Sequence, residues 1–273
     1  MRFARTFGVA AALSVTILTA FPAVSPAAHS WNGYHWARTT NTFTLKLGDN
    51  VSGQWDSYLA TASVNWSQST VLDTNILPGA TTGSKCRPTT GRVEVCNGNY
   101  GRNGWLGLAQ IWISGSHITA GTTKLNDTYF STAAYNTPAW RDLVMCQEVG
   151  HTFGLGHQDE NSTNPNLGSC MDYTNLPESN RQPNQHDYDM LVDIYRHTDG
   201  TTTVAASAAS GQVQAVLDTP DTWGKKTDSH AGGTHETFER DLGNGTKVLT
   251  DVIWVDESLV ADDKPTKDKA NRD

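Results

Sequence analysis

Basic residues are in short supply in this chain. Lysine and arginine together number 20 against 28 aspartates and glutamates in 273 residues, a formal net charge of −8. That balance lacks the basic footprint of a nucleic-acid-binding surface and disfavours adhesion to anionic membranes. Long apolar runs are missing too. The uncharged N-terminal stretch from Phe7 to Phe21 is broken by Ser14, Thr16 and Thr19, short of the ~20 apolar residues a membrane span needs. Cysteine is scarce: four in all, an even number.

What is there begins at the N-terminus. Met1-Arg2-Phe3-Ala4-Arg5 leads into the uncharged stretch, which exits through the small residues Ala23, Ser25, Ala27 and Ala28. That order reads as a secretory signal peptide over residues 1–28, cleaved near Ala28. The expected product is secreted and extracellular, and more acidic for losing Arg2 and Arg5. Four cysteines in an exported chain are expected to form two disulfides. Of the three connectivities, Cys86–Cys96 with Cys146–Cys170 is favoured. The first clips a polar loop; the second joins two residues that each directly precede a candidate site residue, Gln147 and Met171.

The densest pattern is Gln147-Glu148-Val149-Gly150-His151-Thr152-Phe153-Gly154-Leu155-Gly156-His157. Asn136-Thr137-Pro138 supplies a helix cap and an early proline. Trp140, Leu143, Val144 and Gln147 then recur at helical spacing. Residues 147 and 151 therefore share one helix face. Gly154 stands where the chain has to leave the helix and turn back, a conformation glycine reaches without strain. The turn brings His157 round to the same point. Two imidazoles and a third donor around one point suit a borderline divalent cation with an open position for water. Glu148, next to the first ligand position, can lean over the same point without binding there and would be placed to take a proton from that water.

With one letter changed, this run resembles the zinc signature of the metzincin proteases, H-E-x-x-H-x-x-G-x-x-H. Ser169-Cys170-Met171-Asp172-Tyr173 downstream is similar to that clan's Met-turn, a tight turn that floors the metal with methionine. Within the clan the chain looks nearest to matrixin-like secreted bacterial peptidases, over roughly residues 40 to 197. The resemblance implies an α+β fold: a twisted, mostly parallel sheet, an active-site helix, the Met-turn and a C-terminal helix. It implies a secreted metalloendopeptidase acting on protein or peptide substrates as a monomer, with zinc held by His151, His157 and Gln147. Glu148 would be general base and acid, Met171 the floor and Gly154 the turn. Tyr173, at the Met-x-Tyr spacing of the astacin and serralysin branches, would stabilise the oxyanion or simply pack.

Gln147 departs from the pattern. An amide oxygen is a poorer zinc ligand than an imidazole nitrogen, so copper or another divalent ion also comes into question. Gln147 would ligate directly, hold a ligating water, or leave the site dead on a scaffold kept for binding. Some algal gametolysin-like proteases resemble this chain in carrying the same Q-E-x-x-H form, which favours activity. The inhibitory propeptide cysteine usual in matrixins has no counterpart here, because no cysteine is spare.

The remaining pattern supports three regions: the signal over 1–28, a catalytic domain over 29–199, and a linker, hairpin and charged tail over 200–273. Phe43–Leu47, Val71–Leu77, Arg92–Val95, Leu106–Ile113 and His117–Leu125 read as strands, Gln54–Ser67 as a helix. By resemblance, Leu106–Ile113 is the cleft-bordering edge that pairs with an extended substrate; an interior strand is the alternative. Trp31 to Trp36 reads as packing against the sheet, with a carbohydrate contact as the rival. His117 reads as a hydrogen-bonding residue rather than a ligand, and His186 as a surface or capping residue. Gln158-Asp159-Glu160 reads as a solvated acidic turn, with calcium binding as the rival. Gly243-Asn244-Gly245 marks a hairpin, but the sequence assigns no role to the region around it.

Overall fold

A computed structural model describes Met1 and residues 29–207, 215, 217–230 and 233–260. The expected signal peptide, apart from Met1, falls outside the described residues, as do part of the linker and the charged tail from 261 onward.

The first half of the chain lays down parallel strands. β1 (His35–Trp36) is a two-residue strand, and β2 (Phe43–Asn50) buries Phe43, Leu45 and Leu47 while exposing Thr44. α1 (Trp55–Trp66) turns Trp55, Leu59, Ala62 and Trp66 inward, the spacing of one helical face. β3 (Leu72–Pro78), β4 (Val93–Gly98), β5 (Trp105–Ser114) and β6 (His117–Asn126) follow. β2 pairs in parallel with β3 and β4, β4 with β6, and β1 with β6; β5 runs antiparallel to β6.

A single helical turn, α2 (Asp127–Phe130), leads towards α3 (Pro138–His151). The Thr137 side chain accepts from the Trp140 N–H, and Pro138 opens the helix where an N–H would have no partner anyway. Every residue from Leu143 to His151 is buried. An irregular stretch then reaches α4 (Gln185–Ile194), opened by a capping box between Asn184 and Asp187. Both disulfides are the favoured ones: Cys86–Cys96, with Cα atoms 5.9 Å apart, and Cys146–Cys170, at 6.0 Å. The second ties α3 to the Met171 turn.

The region beyond residue 200 joins the same sheet. β7 (Lys225–His230), β8 (His235–Gly243) and β9 (Thr246–Trp254) form an antiparallel meander, followed by the helical turn α5 (Glu257–Val260). Gly243, Asn244 and Gly245 all take positive φ in the β8–β9 turn, as the Asn-Gly signal demands. β9 runs antiparallel to β5 along its whole length, from Trp105 against Trp254 to Ser114 against Thr246. The strand order is therefore β3-β2-β4-β6-β5-β9-β8-β7, with β1 beside β6. The fold is α+β as expected, with parallel pairing confined to β1–β4 and β6.

One expectation is corrected here. Leu106–Ile113 is not a free edge; it lies between β6 and β9. The cause is chemical. One face of β5 (Leu106, Ile111, Ile113) joins the core around α3. The other (Trp105, Leu108, Trp112) packs with Leu217, Trp223, Phe238, Val248 and Val252 from the C-terminal region. A strand apolar on both faces has to be covered on both.

Candidate metal centre

α3 delivers Gln147, Glu148 and His151 in its last two turns. The His151 Nδ1 lies 2.9 Å from the Leu155 carbonyl oxygen. A carbonyl only accepts, so Nδ1 carries the proton and the neutral ring keeps a bare lone pair on Nε2. Metal-ligating histidines are commonly oriented this way. Gly154 has φ +92°, and a Cβ there would sit 2.0 Å from the Tyr34 carbonyl oxygen; no other residue fits. The turn brings the His157 ring within 4.4 Å of His151, centroid to centroid. Trp31 stacks on the other side of His151 at 5.0 Å, and the Trp36 indole donates to the Thr152 carbonyl. Both tryptophans of that aromatic segment are buried, so they pack.

The Met171 turn packs against α3 at Gly150 and against the chain just past His157. The Gln158 N–H donates to the Met171 carbonyl at 2.6 Å, and the Met171 N–H to the Ser169 hydroxyl at 2.9 Å. Met171 is fully buried. Gln147 is oriented by the same turn: its Nε2 donates to the Cys170 carbonyl at 2.8 Å, which turns Oε1 away from it. Tyr173 lies buried against the His157 ring at 4.1 Å and stacks on His235 of β8 at 3.7 Å. In the acidic turn after His157, Asp159 accepts from the Asn161 N–H and Glu160 faces His230 at 3.2 Å.

The residue that sequence reasoning missed is Asp251, on β9. Its Oδ1 lies 3.5 Å from His151 Nε2 and 3.7 Å from His157 Nε2. Its Oδ2 accepts from the Thr237 hydroxyl at 2.9 Å. One atom each from His151, His157 and Asp251 falls within a single 4.8 Å cluster. A signal was present: Asp251 interrupts the apolar run Val248 to Val255, and a carboxylate in a buried strand requires a partner.

Burial dominates the electrostatics. It pushes the Glu148 carboxyl well above its usual range, with the Asp251 charge adding to the effect. It raises Asp251 to about 7 and lowers His151 to about 4. His157 is held well below its usual value by burial and then by the neighbouring imidazoles. Burial likewise drives the Tyr173 phenol far upward, so it stays protonated.

Six atoms here are buried and have no hydrogen-bond partner: Gln147 Oε1, both Glu148 oxygens, His151 Nε2, His157 Nε2 and Asp251 Oδ1. Unsatisfied buried polar atoms cost about 1–3 kcal/mol each, and more when charged. Three of them, His151 Nε2, His157 Nε2 and Asp251 Oδ1, lie within 4.8 Å of one another, and a cation among those lone pairs removes their cost. Two imidazoles with a carboxylate oxygen suit a borderline divalent ion such as zinc.

No family model matches the chain, and no curated protein matches it. Among solved structures, two examples are weakly similar in shape. One is high choriolytic enzyme 1, a hatching enzyme zinc-protease from the medaka fish Oryzias latipes, at 10% identity and TM-score 0.35; the likeness covers 60% of this chain and 95% of that one. The other is myroilysin, at 12% identity and TM-score 0.34, covering 62% and 98%. At those values the functional reading rests on this chain's own residues.

Proposed function

We propose that this chain is a secreted metal-dependent endopeptidase whose own β9 closes over its site. The observation that carries the reading is the cluster of partnerless buried acceptors, His151 Nε2, His157 Nε2 and Asp251 Oδ1, where the end of α3 and the turn after it meet β9. His151, His157 and Gln147 would hold zinc or a similar divalent ion. Once bound, such an ion supplies a polarised carbonyl and a water acidified toward a pKa of about 7. Glu148 would serve as general base and then as general acid toward the leaving amide nitrogen, a role that its burial and raised affinity for protons suit. Met171 and the Cys146–Cys170 bridge fix the floor and hold the Gln147 amide in its orientation. Tyr173 packs beside His157 and would serve as an oxyanion donor. The paired disulfides and the N-terminal pattern support export, and among the described residues no helix is long and apolar enough to cross a membrane.

The closure rests on two contacts. β9 occupies the edge of β5 that an extended peptide would need for strand pairing. From that strand Asp251 points its free oxygen at the two histidines, where water and a scissile carbonyl would otherwise come. A peptidase built this way is latent until β9 withdraws. The same two contacts favour the rival reading, a catalytically silent secreted protein on this scaffold.

Metal content and cleavage of a denatured protein by full-length wild type, Asp251→Ala, Glu148→Ala and the double variant separate the two. Support is a retained metal in all four, a rate at least about tenfold higher in Asp251→Ala, and no cleavage in either Glu148→Ala chain. Absence of bound metal in wild type and in Asp251→Ala alike, with neither cleaving, overturns the peptidase reading. A Gln147→His chain that alone gains metal and cleavage would show the natural site to be dead.

A further inference from the structure

We infer that His35, His117, His197 and Asp199 form a second divalent-metal site, separate from the α3 centre and structural in role. His35 and His117 are direct register partners across β1 and β6. His197 and Asp199 lie just past α4, where the chain leaves for the C-terminal strands. Asp199 Oδ1 lies 3.3 Å from His35 Nε2, 3.3 Å from His117 Nε2 and 3.7 Å from His197 Nε2. His35 Nε2 and His197 Nε2 are themselves 3.2 Å apart.

These spacings have a physical meaning. Zinc bonds of about 2.0–2.2 Å to nitrogen and oxygen in a tetrahedron place the ligand atoms roughly 3.3–3.6 Å from one another. Four ligand–ligand edges of the cluster fall at or close to that length. Three imidazoles and one carboxylate are also a borderline-cation donor set. His35, His117 and Asp199 bring ligand atoms within 4.8 Å of one another. His197, half exposed and near His35 and Asp199 but outside that group, would swing in as the fourth ligand and leave no position open, the mark of a structural site.

Hydrogen bonding around the cluster orients the donors. The His35 Nδ1 lies 2.8 Å from the Gly33 carbonyl oxygen, so that nitrogen carries the proton and Nε2 presents a lone pair to the Asp199 oxygen. Two lone pairs face each other there unless a cation or an added proton lies between them. Asp199 is held from the far side: its Oδ2 accepts from the Arg38 N–H at 3.0 Å, and its own N–H donates to the Arg38 carbonyl at 2.7 Å. Such outer partners are what aim metal ligands. The His35 and Asp199 side chains are nearly buried, while those of His117 and His197 are 32% and 48% exposed. An ion can therefore reach the cluster from solvent. Once bound, it would pin β1, the start of β6 and the exit of α4 to one point.

The test uses full-length protein stripped of metal and titrated with Zn²⁺, with stoichiometry, affinity and thermal midpoint as readouts. It includes a His151→Ala/His157→Ala chain lacking the α3 centre and a His117→Ala/His197→Ala chain altered only at the exposed ligands. The expected result is one bound zinc and a raised midpoint in the first. The second should lose one equivalent, or bind it at least about tenfold more weakly. If zinc neither binds nor stabilises the His151→Ala/His157→Ala chain, the cluster is an ion-paired histidine group and the inference is wrong. Unchanged stoichiometry and affinity in the His117→Ala/His197→Ala chain would overturn it equally. Neither result depends on the α3 centre being catalytic.

Discussion

Asp251 Oδ1 faces His151 Nε2 across 3.5 Å, with both side chains wholly shut off from solvent. The imidazole has committed its proton to Leu155 on the other nitrogen, so in metal-free protein above about pH 7, where the Asp251 carboxyl is ionised, two acceptors confront each other. An asparagine at 251 would turn an N–H toward the imidazole and keep an oxygen for Thr237. Metal-free Asp251→Asn should therefore be more stable than metal-free wild type, by about 1–3 kcal/mol. With zinc present the order should reverse, because the amide is the poorer ligand. Thermal melts of both chains with chelator and with zinc decide it. The same ranking in both conditions would remove Asp251 from the metal's surroundings.

The Cys146–Cys170 bridge binds the residue before Gln147 to the residue before Met171. Its 24-residue separation closes a larger loop than the 10 residues of Cys86–Cys96. On chain entropy alone the difference is only about 0.8 kcal/mol. Position matters more. The Cys170 carbonyl is the acceptor that orients Gln147, so Cys146→Ser/Cys170→Ser should weaken zinc binding as well as lower the melting midpoint. Cys86→Ser/Cys96→Ser should lower the midpoint alone. Equal zinc affinity in the two double variants would show that the bridge does not orient Gln147.

Much of this was legible because it is local. Thr137-Pro138 and the 3–4 spacing after it fixed the start and the inner face of α3. Gly154 announced a turn only glycine makes, and Gly243-Asn244-Gly245 announced the β8–β9 hairpin. Partner choice over long distance was not legible. Lys247 to Val255 reads as a strand, yet nothing inside it says that it pairs with Trp105–Ser114. The clue lay in β5 itself: Leu106 to Ile113 does not alternate, and Trp105, Leu108 and Trp112 make its second face apolar. A free edge in contact with substrate would not carry three such residues uncovered. The convergence of His35 and His117 was hidden similarly, since each is unremarkable until β1 and β6 are set side by side.

His29 and Asp187 make a matched pair with opposite pH behaviour. His29 Nε2 lies 3.8 Å from Asp187 Oδ1, but burial lowers the imidazole to about 4 and raises the carboxyl to about 6, so near pH 5 both are neutral. The raised acid stabilises the fold below its unfolded pKa near 3.8 and loses that contribution as pH rises through about 6. The depressed histidine contributes fully above about 6.5 and loses that as pH falls through about 4. The two slopes largely cancel. Asp187→Asn removes one of them, so its stability relative to wild type should improve from pH 4 to 6, by about 2–3 kcal/mol at most, and level off above. Urea melts across that range measure it. A pH-independent difference would mean that Asp187 titrates as an ordinary exposed acid.

Trp223 offers the sharpest test of the closed state, because it stabilises the C-terminal cover without touching the metal ligands. It is fully buried, donates its indole N–H to the Leu217 carbonyl at 3.1 Å, and packs on Phe238 at 5.3 Å and Trp254 at 6.0 Å. All of these belong to the layer over the far face of β5. Trp66 is its counterpart in the main core, donating to the Cys146 carbonyl beneath α3. Each truncation to alanine should cost about 3–5 kcal/mol, but the losses fall on different parts. Trp66→Ala undermines α3 and should reduce zinc binding along with stability. Trp223→Ala weakens the attachment of β7–β9 and should speed proteolytic cutting there while amide protection in α3 persists. If β9 is the inhibitory element, Trp223→Ala should also cleave a denatured protein faster than wild type does, with its metal retained. Should Trp223→Ala instead unfold the whole chain in one transition with no gain in rate, β7–β9 would be an inseparable part of the catalytic core.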